Sequence, residues 1–161
     1  DVGGGSTEMT VIKNSKSVQY ESFDVGTVRM MEGAIKKQEK ARMHQWLEKI
    51  SAKHPGIRAI GTGGNIVKLN ALGNQSQKKP LTLLALKEIN KKLKSMSHDE
   101  RVYELSLNPD RAQVIDKAGD IFIDILKKGN IDKIIIPNKG LKDGMILGLW
   151  QEFYHKNLQK P

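Results

Sequence analysis

The sequence predicts an α/β domain, three layers deep, in which helices cover a mixed sheet. Three observations carry this. Strand-like segments come first, at 8–13 and 18–25, and helical periodicity dominates afterwards. Short apolar runs at 57–60 and 134–136 stand between helical stretches, and the unbroken isoleucines at 134–136 suit a parallel sheet covered on both faces. Glycine clusters fall where strands end.

The elements follow in order. Residues 8–13 and 18–25 pair as a hairpin across the polar turn 14–17. Gly26 to Met31 begins a short helix, and Lys36 to Ser51 is a longer one with Met43, Trp46, Leu47 and Ile50 on one side. The strand 57–60 leads through Gly61-Thr62-Gly63-Gly64 into a helix carried by Ile66, Leu69 and Leu72. Residues 73–79 form a polar connection, and Pro80 is read as the first residue of a helix whose apolar stripe is Leu86, Ile89, Leu93 and Met96. Ser97-His98-Asp99-Glu100 caps a short helix. Asn108-Pro109-Asp110 starts a largely buried one that runs to Lys128 and stops at Gly129. After the strand 134–136 and a turn at 138–140, a last helix spans 142–154 with Ile146, Leu149, Trp150 and Phe153 turned inward. Hairpin first, then αβαβα, is the order of a ribonuclease-H-like sheet. In such sheets ligands sit at the carboxyl ends of strands. Asp1 is expected to close a central first strand whose body lies upstream, so the first strand is truncated and residues 1–161 are a single domain.

The richest chemistry lies at the start, in Asp-Val-Gly-Gly-Gly-Ser-Thr-Glu (1–8). Three consecutive glycines are entropically costly to order. Their amides can form an anion-binding nest, and the flanking carboxylates of Asp1 and Glu8 can hold a divalent cation that bridges to phosphate. The plain alternative is a glycine-rich hairpin with two solvated acids. The second cluster, Gly61 to Gly64, has the strand–turn–helix geometry that presents helix amides to an anion, or it is a tight turn alone. It is not a Walker A loop, and Ile66 stands where a dinucleotide fingerprint needs its third glycine.

Composition narrows the partners. A net charge of +9 favours a polyanion, although much of the excess is lysine on helix faces that solvent can cover. Aromatics are only 5%, without the basic–aromatic interleaving of stacking platforms, so nucleic acid is not the expected partner. The four histidines are scattered without metal-ligand spacing, and cysteine is absent, which fits a reducing, cytoplasmic setting. No apolar run approaches bilayer length, so no membrane partner is expected.

Five motifs fall in a recognisable order: 1–8, Asp-Val-Gly-Thr-Val-Arg (24–29), Gly-Thr-Gly-Gly (61–64), Asn-Pro-Asp-Arg-Ala-Gln-Val-Ile (108–115) and Gly-Leu-Lys-Asp-Gly (140–144). Together they resemble the exopolyphosphatase/guanosine pentaphosphatase (Ppx/GppA phosphatase) family of the actin-like ATPase superfamily. The likeness covers essentially the whole chain, which looks like the second, C-terminal lobe of a two-lobed module in its short form, with the first lobe absent.

The resemblance implies a magnesium-dependent hydrolase that releases terminal phosphate from inorganic polyphosphate or guanosine pentaphosphate in a cleft between lobes. It implies that Gly3, Gly4, Gly5 and Ser6 cradle phosphate, that Gly61, Thr62, Gly63 and Gly64 line the same cleft, and that Asp1 sits at the metal position. Glu8 would be a catalytic carboxylate that also helps place Mg2+. The family's principal general base belongs to the first lobe, so this chain alone is expected to be inactive. Homodimerisation is left open, and Arg111 is read as a structural brace. Two departures stand out. Lys142 and Asp143 replace the usual Arg-Glu pair, and Lys is not equivalent to Arg at a bidentate contact; the serine usual before them is missing from Ile-Pro-Asn-Lys (136–139). Two rival readings are a sugar-kinase or chaperone-like ATPase of the same superfamily, and a non-catalytic module that binds polyphosphate or guanosine tetra- or pentaphosphate.

Overall fold

Alternation of buried and exposed positions builds the first layer, in which strand β1 (Thr7–Lys13) pairs antiparallel with β2 (Lys16–Phe23). The computed structural model describes residues 1–73, 79–137 and 140–158, with side chains left aside at 141, 142 and 155–158. Asn14 and Ser15 join the two strands with φ of 51° and 61°, the tight turn that matches strand twist. Asp1 and Val2 extend the hairpin on the far edge of β1: Asp1 N and Glu8 N each donate to the other's carbonyl at 2.9 Å, and Val2 bridges to Thr7.

Helix α1 (Thr27–Met31) follows directly, then α2 (Lys37–Lys53). Met43, Leu47 and Ile50 recur every three to four residues, and all three are buried. Trp46 meets Phe23 edge-on at 5.8 Å between ring centroids, and the Arg42 guanidinium lies 4.3 Å over the same Phe23 ring. These aromatic and cation–π contacts tie α2 to β2.

The second layer is a three-stranded mixed sheet, with β3 (Ala59–Ile60) parallel to β5 (Lys133–Ile135) and β4 (Leu81–Thr82) antiparallel to it, in the order β3-β5-β4. Among the described residues the strands therefore form two ladders and not one sheet. Among the described residues, Asp1 and Val2 flank the hairpin on the far edge of β1.

Helices α3 (Gly64–Gly73), α4 (Leu83–Ser95), α5 (His98–Tyr103) and α6 (Pro109–Lys128) complete the core. Helix α6 is its axis, packed against each of α1 to α5. It buries Ile115, Ala118, Ile121, Phe122 and Leu126, as its periodicity predicts. Gly119 lets α4 come close, because a Cβ there would collide with the Asn90 side chain. Asn108 caps α6 by accepting from Arg111 N at 3.0 Å, with Pro109 in the first turn. Ser97 and Glu100 form a full capping box on α5.

Four expectations change. Pro80 does not open a helix: the strand β4 intervenes, and the Thr82 hydroxyl caps α4 by accepting from Ala85 N at 3.1 Å. The strand read at 57–60 is only two residues long. At the end of α6 the left-handed residue is Asn130, with φ 52°, while Gly129 keeps a right-handed conformation. The fourth concerns α7 (Leu141–Leu158), where Ile146, Leu149, Trp150 and Phe153 are exposed, at 68%, 66%, 57% and 69%. Among the described residues none of the principal helix and strand packings involves α7. Periodicity identifies the face that favours burial but not the surface that covers it. The connection at 74–78 and the turn at 138–139 lie outside the described residues.

Candidate functional site

The glycine turn is a four-residue hairpin loop closed by Gly3 N donating to Ser6 O at 2.9 Å. Its three glycine carbonyls are taken from one side. Thr27 N donates to Gly3 O at 3.0 Å, Val28 N to Gly4 O at 2.9 Å, and Arg29 Nε to Gly5 O at 2.7 Å. A trans peptide is planar with its C=O and N–H antiparallel, and the chain contains no cis bond among its described residues. Carbonyls 3, 4 and 5 facing α1 therefore turn the N–H groups of Gly4, Gly5 and Ser6 the other way. Among the described residues those three nitrogens donate to no backbone acceptor, and Gly4 and Gly5 are exposed. Three adjacent free amides on one side of the backbone are donors open to an anion.

The acids lie beside it. Asp1 and Glu8 exchange both backbone hydrogen bonds, and residues so paired present their side chains on the same face of the ladder. Glu8 Oε1 accepts from Ser6 Oγ at 2.5 Å and from Ser22 Oγ at 3.5 Å, Ser22 being its register partner in β2. Sequence reasoning missed Ser22. The signal was the hairpin register, which needs the turn to be counted as two residues.

The second glycine turn is brought to the first. Thr62 Oγ1 donates to Asp1 Oδ2 at 3.3 Å, and Asn65 Nδ2 donates to Val2 O at 2.9 Å. Gly63 has φ 91°, and a Cβ there would collide with the Asp1 carboxylate. The four residues at 61–64 divide, however. Gly61 donates its N–H to Ile135 O at 2.8 Å, and a Cβ on it would lie 2.8 Å from Ile134 Cδ1, so its smallness serves the packing of β3. Gly64 starts α3 against the Arg111 guanidinium, which would sit 2.7 Å from an added Cβ. Among the described residues the Arg111 side chain makes no hydrogen bond and no ion pair within 4.0 Å.

Among the described residues no group of three or more His, Cys, Asp and Glu side chains is placed to hold a metal. Asp1 and Glu8 are a two-carboxylate set on one face. That set fits Mg2+, which keeps several waters and takes one or two carboxylates plus substrate phosphate. In the last motif, Asp143 Oδ2 accepts from Gly140 N at 2.7 Å and so holds the start of α7. Two surface hollows lie elsewhere, one beside Leu93 and Leu105 and one beside Glu48 and Asn130. Gly4, Gly5, Thr62 and Gly64 are exposed, so the glycine turns form an open face.

The sequence model of the Ppx/GppA phosphatase family matches residues 1–153. The chain belongs to that family. Among individual Ppx/GppA relatives, it is 24% identical over 168 residues to guanosine-5'-triphosphate,3'-diphosphate pyrophosphatase of Aliivibrio fischeri, covering 96% of this chain and 34% of the relative. It is 22% identical to the protein of the same name in Vibrio cholerae, with 99% and 35% covered. It superposes on the crystal structure of the Aquifex aeolicus Ppx/GppA family member with a TM-score of 0.73 at 27% identity, over 94% of this chain and 55% of that one. An exopolyphosphatase from Cytophaga hutchinsonii gives the same TM-score of 0.73 at 19% identity, a likeness of fold alone. This Ppx/GppA chain thus has the actin-like ATPase fold of its neighbours and spans about half the length of the solved structures it matches. No helix among its described residues is long and apolar enough to cross a membrane.

Proposed function

We propose that this chain is the second lobe of a two-lobed phosphohydrolase that releases terminal phosphate from inorganic polyphosphate or guanosine pentaphosphate. The observation that carries the reading is the row of free amides at Gly4, Gly5 and Ser6 beside the paired carboxylates of Asp1 and Glu8. An anion sensor gains nothing from two acids next to its phosphate loop, whereas a hydrolase needs them. The alternative, a module that binds such phosphates without cleaving them, is what a negative result below would leave.

Phosphoryl transfer demands positioning and charge neutralisation more than covalent help. In this reading Gly3 to Ser6 hold phosphoryl oxygens through the turned-out amides, and the backbone at Thr62, Gly63 and Gly64 lines the far side of the cleft. Asp1 and Glu8 would together hold Mg2+, which when bound neutralises phosphate charge. Glu8, kept in place by the Ser6 and Ser22 hydroxyls, orients the attacking water and accepts its proton or passes it on. The first lobe would close the cleft and cover the apolar residues of α7. The absence of cysteine supports a cytoplasmic setting.

The test is phosphate release, with magnesium, by the protein carrying both lobes. Glu8→Gln keeps size and hydrogen-bonding reach but removes the charge. Turnover on polyphosphate or guanosine pentaphosphate should fall by about 10² to 10⁴, with substrate binding little changed. Unchanged turnover would remove Glu8 from the chemistry.

A further inference from the structure

We propose that Gly26 and Arg29 are positioning residues of the anion cradle, and that the segment 24–29 acts as a clamp deciding which way the glycine amides face. The proposal rests on the phosphate reading of residues 3–6.

A triglycine turn has no preferred orientation of its own, because each glycine samples both halves of conformational space. Something outside the turn must select one. Here three consecutive carbonyls are selected by three consecutive residues: Thr27 N takes Gly3 O, Val28 N takes Gly4 O, and Arg29 Nε takes Gly5 O. The backbone at Arg29 adds a longer contact to Gly4 O at 3.4 Å. Rotating any one of these peptides would break its bond to the clamp and withdraw one N–H from the opposite side.

The clamp is itself fixed. Thr7 Oγ1 donates to Val25 O at 2.5 Å, fully buried, and Thr27 is buried at the start of α1. Asp24 N donates to Glu39 Oε2 at 3.2 Å, and the Arg29 guanidinium lies 3.6 Å from the Asp24 carboxylate. The segment is thus anchored to β1 and α2.

Gly26 explains the spacing of the motif. Its φ of −134° and ψ of 166° are extended and open to any residue. Yet a Cβ there would collide with the backbone of Gly4 and Gly5. Glycine is needed at 26 for the approach of two backbones, not for its own conformation. Gly26→Ala therefore leaves the local chain unstrained and pushes the cradle off its clamp.

The experiment is calorimetric titration of the magnesium-loaded, two-lobed protein with imidodiphosphate, whose bridging nitrogen resists hydrolysis, alongside thermal melts. Wild type should bind, and Gly26→Ala should weaken binding by about tenfold or more. Arg29→Gln guards against misfolding of the first variant, since the Arg29 side chain is 43% exposed. It should weaken binding several-fold with the melting temperature within about 3 °C of wild type, and Arg29→Lys, which keeps a donor, should recover part of the loss. A merely structural role would move the melting temperature and leave the affinity of the folded fraction unchanged. Wild-type affinity in both Gly26→Ala and Arg29→Gln overturns the clamp while leaving the cradle standing. No binding to wild type overturns the phosphate reading and the clamp with it.

Discussion

Single residues carry the most specific consequences. Gly63 has φ 91° and abuts the Asp1 carboxylate. Gly63→Ala is expected to cost about 1–3 kcal/mol through backbone strain and to displace Asp1, so a urea melt and a turnover assay should both register it. Asp116 tests the core. Burial alone would raise its pKa, but hydrogen bonding from Lys117 and the charge of buried Arg101, 3.0 Å away, outweigh that and hold the carboxyl below its ordinary range. A depressed folded-state pKa contributes stability at neutral pH that fades as pH falls below the ordinary aspartate value of about 4. Wild type should therefore lose stability on acidification by more than Asp116→Asn does. At pH 7 that variant should lose about 3–5 kcal/mol, because Arg101 is left buried without its charge partner. The gathering of acids and glycines at 1–8 was legible in the sequence because they adjoin in one stretch. The Ser22 contact to Glu8 and the Arg29 contact to Gly5 were not, since each depends on a register or an orientation that no local pattern encodes.

At the scale of elements, legibility followed length and burial. Helix α6 is twenty residues with caps at both ends and a buried stripe, and its boundaries were readable. Strands β3 and β4 are two residues each, too short for any alternation to register. Helix α5 offers a clean test of capping: Ser97→Ala should cost about 1 kcal/mol in a denaturant melt, because it removes the acceptor for Glu100 N. Helix α7 separates the two meanings of an apolar face. Its periodicity is real, but among the described residues Trp150 stacks on Tyr154 of the same helix at 5.0 Å, and Ile146 and Leu149 are exposed. Replacing Ile146 and Leu149 with serine should change the stability of this chain by about 0.5 kcal/mol or less. In the two-lobed protein the same pair should destabilise by several kcal/mol, as core truncations do. Equal effects in both settings would show that the first lobe does not cover α7.

For the whole molecule, the fold class was legible and the division of the sheet was not. A hairpin and a three-stranded ladder meet across Asp1 and Val2, held by Thr62 and Asn65, and that junction is where both glycine turns converge. In the proposed reading, the open face with its two carboxylates and three free amides is half of a phosphoryl-transfer centre. The chain alone should accordingly release no phosphate from polyphosphate or guanosine pentaphosphate above a magnesium-only background, and release by it would contradict the two-lobed account. The most direct measurement is a crystal structure of the two-lobed protein grown with imidodiphosphate and magnesium. The account predicts phosphate oxygens about 3 Å from the nitrogens of Gly4, Gly5 and Ser6, with a cation ligated by Asp1 and Glu8. An anion bound in the cleft away from those amides, with Asp1 and Glu8 touching neither metal nor water near the phosphate, would contradict it.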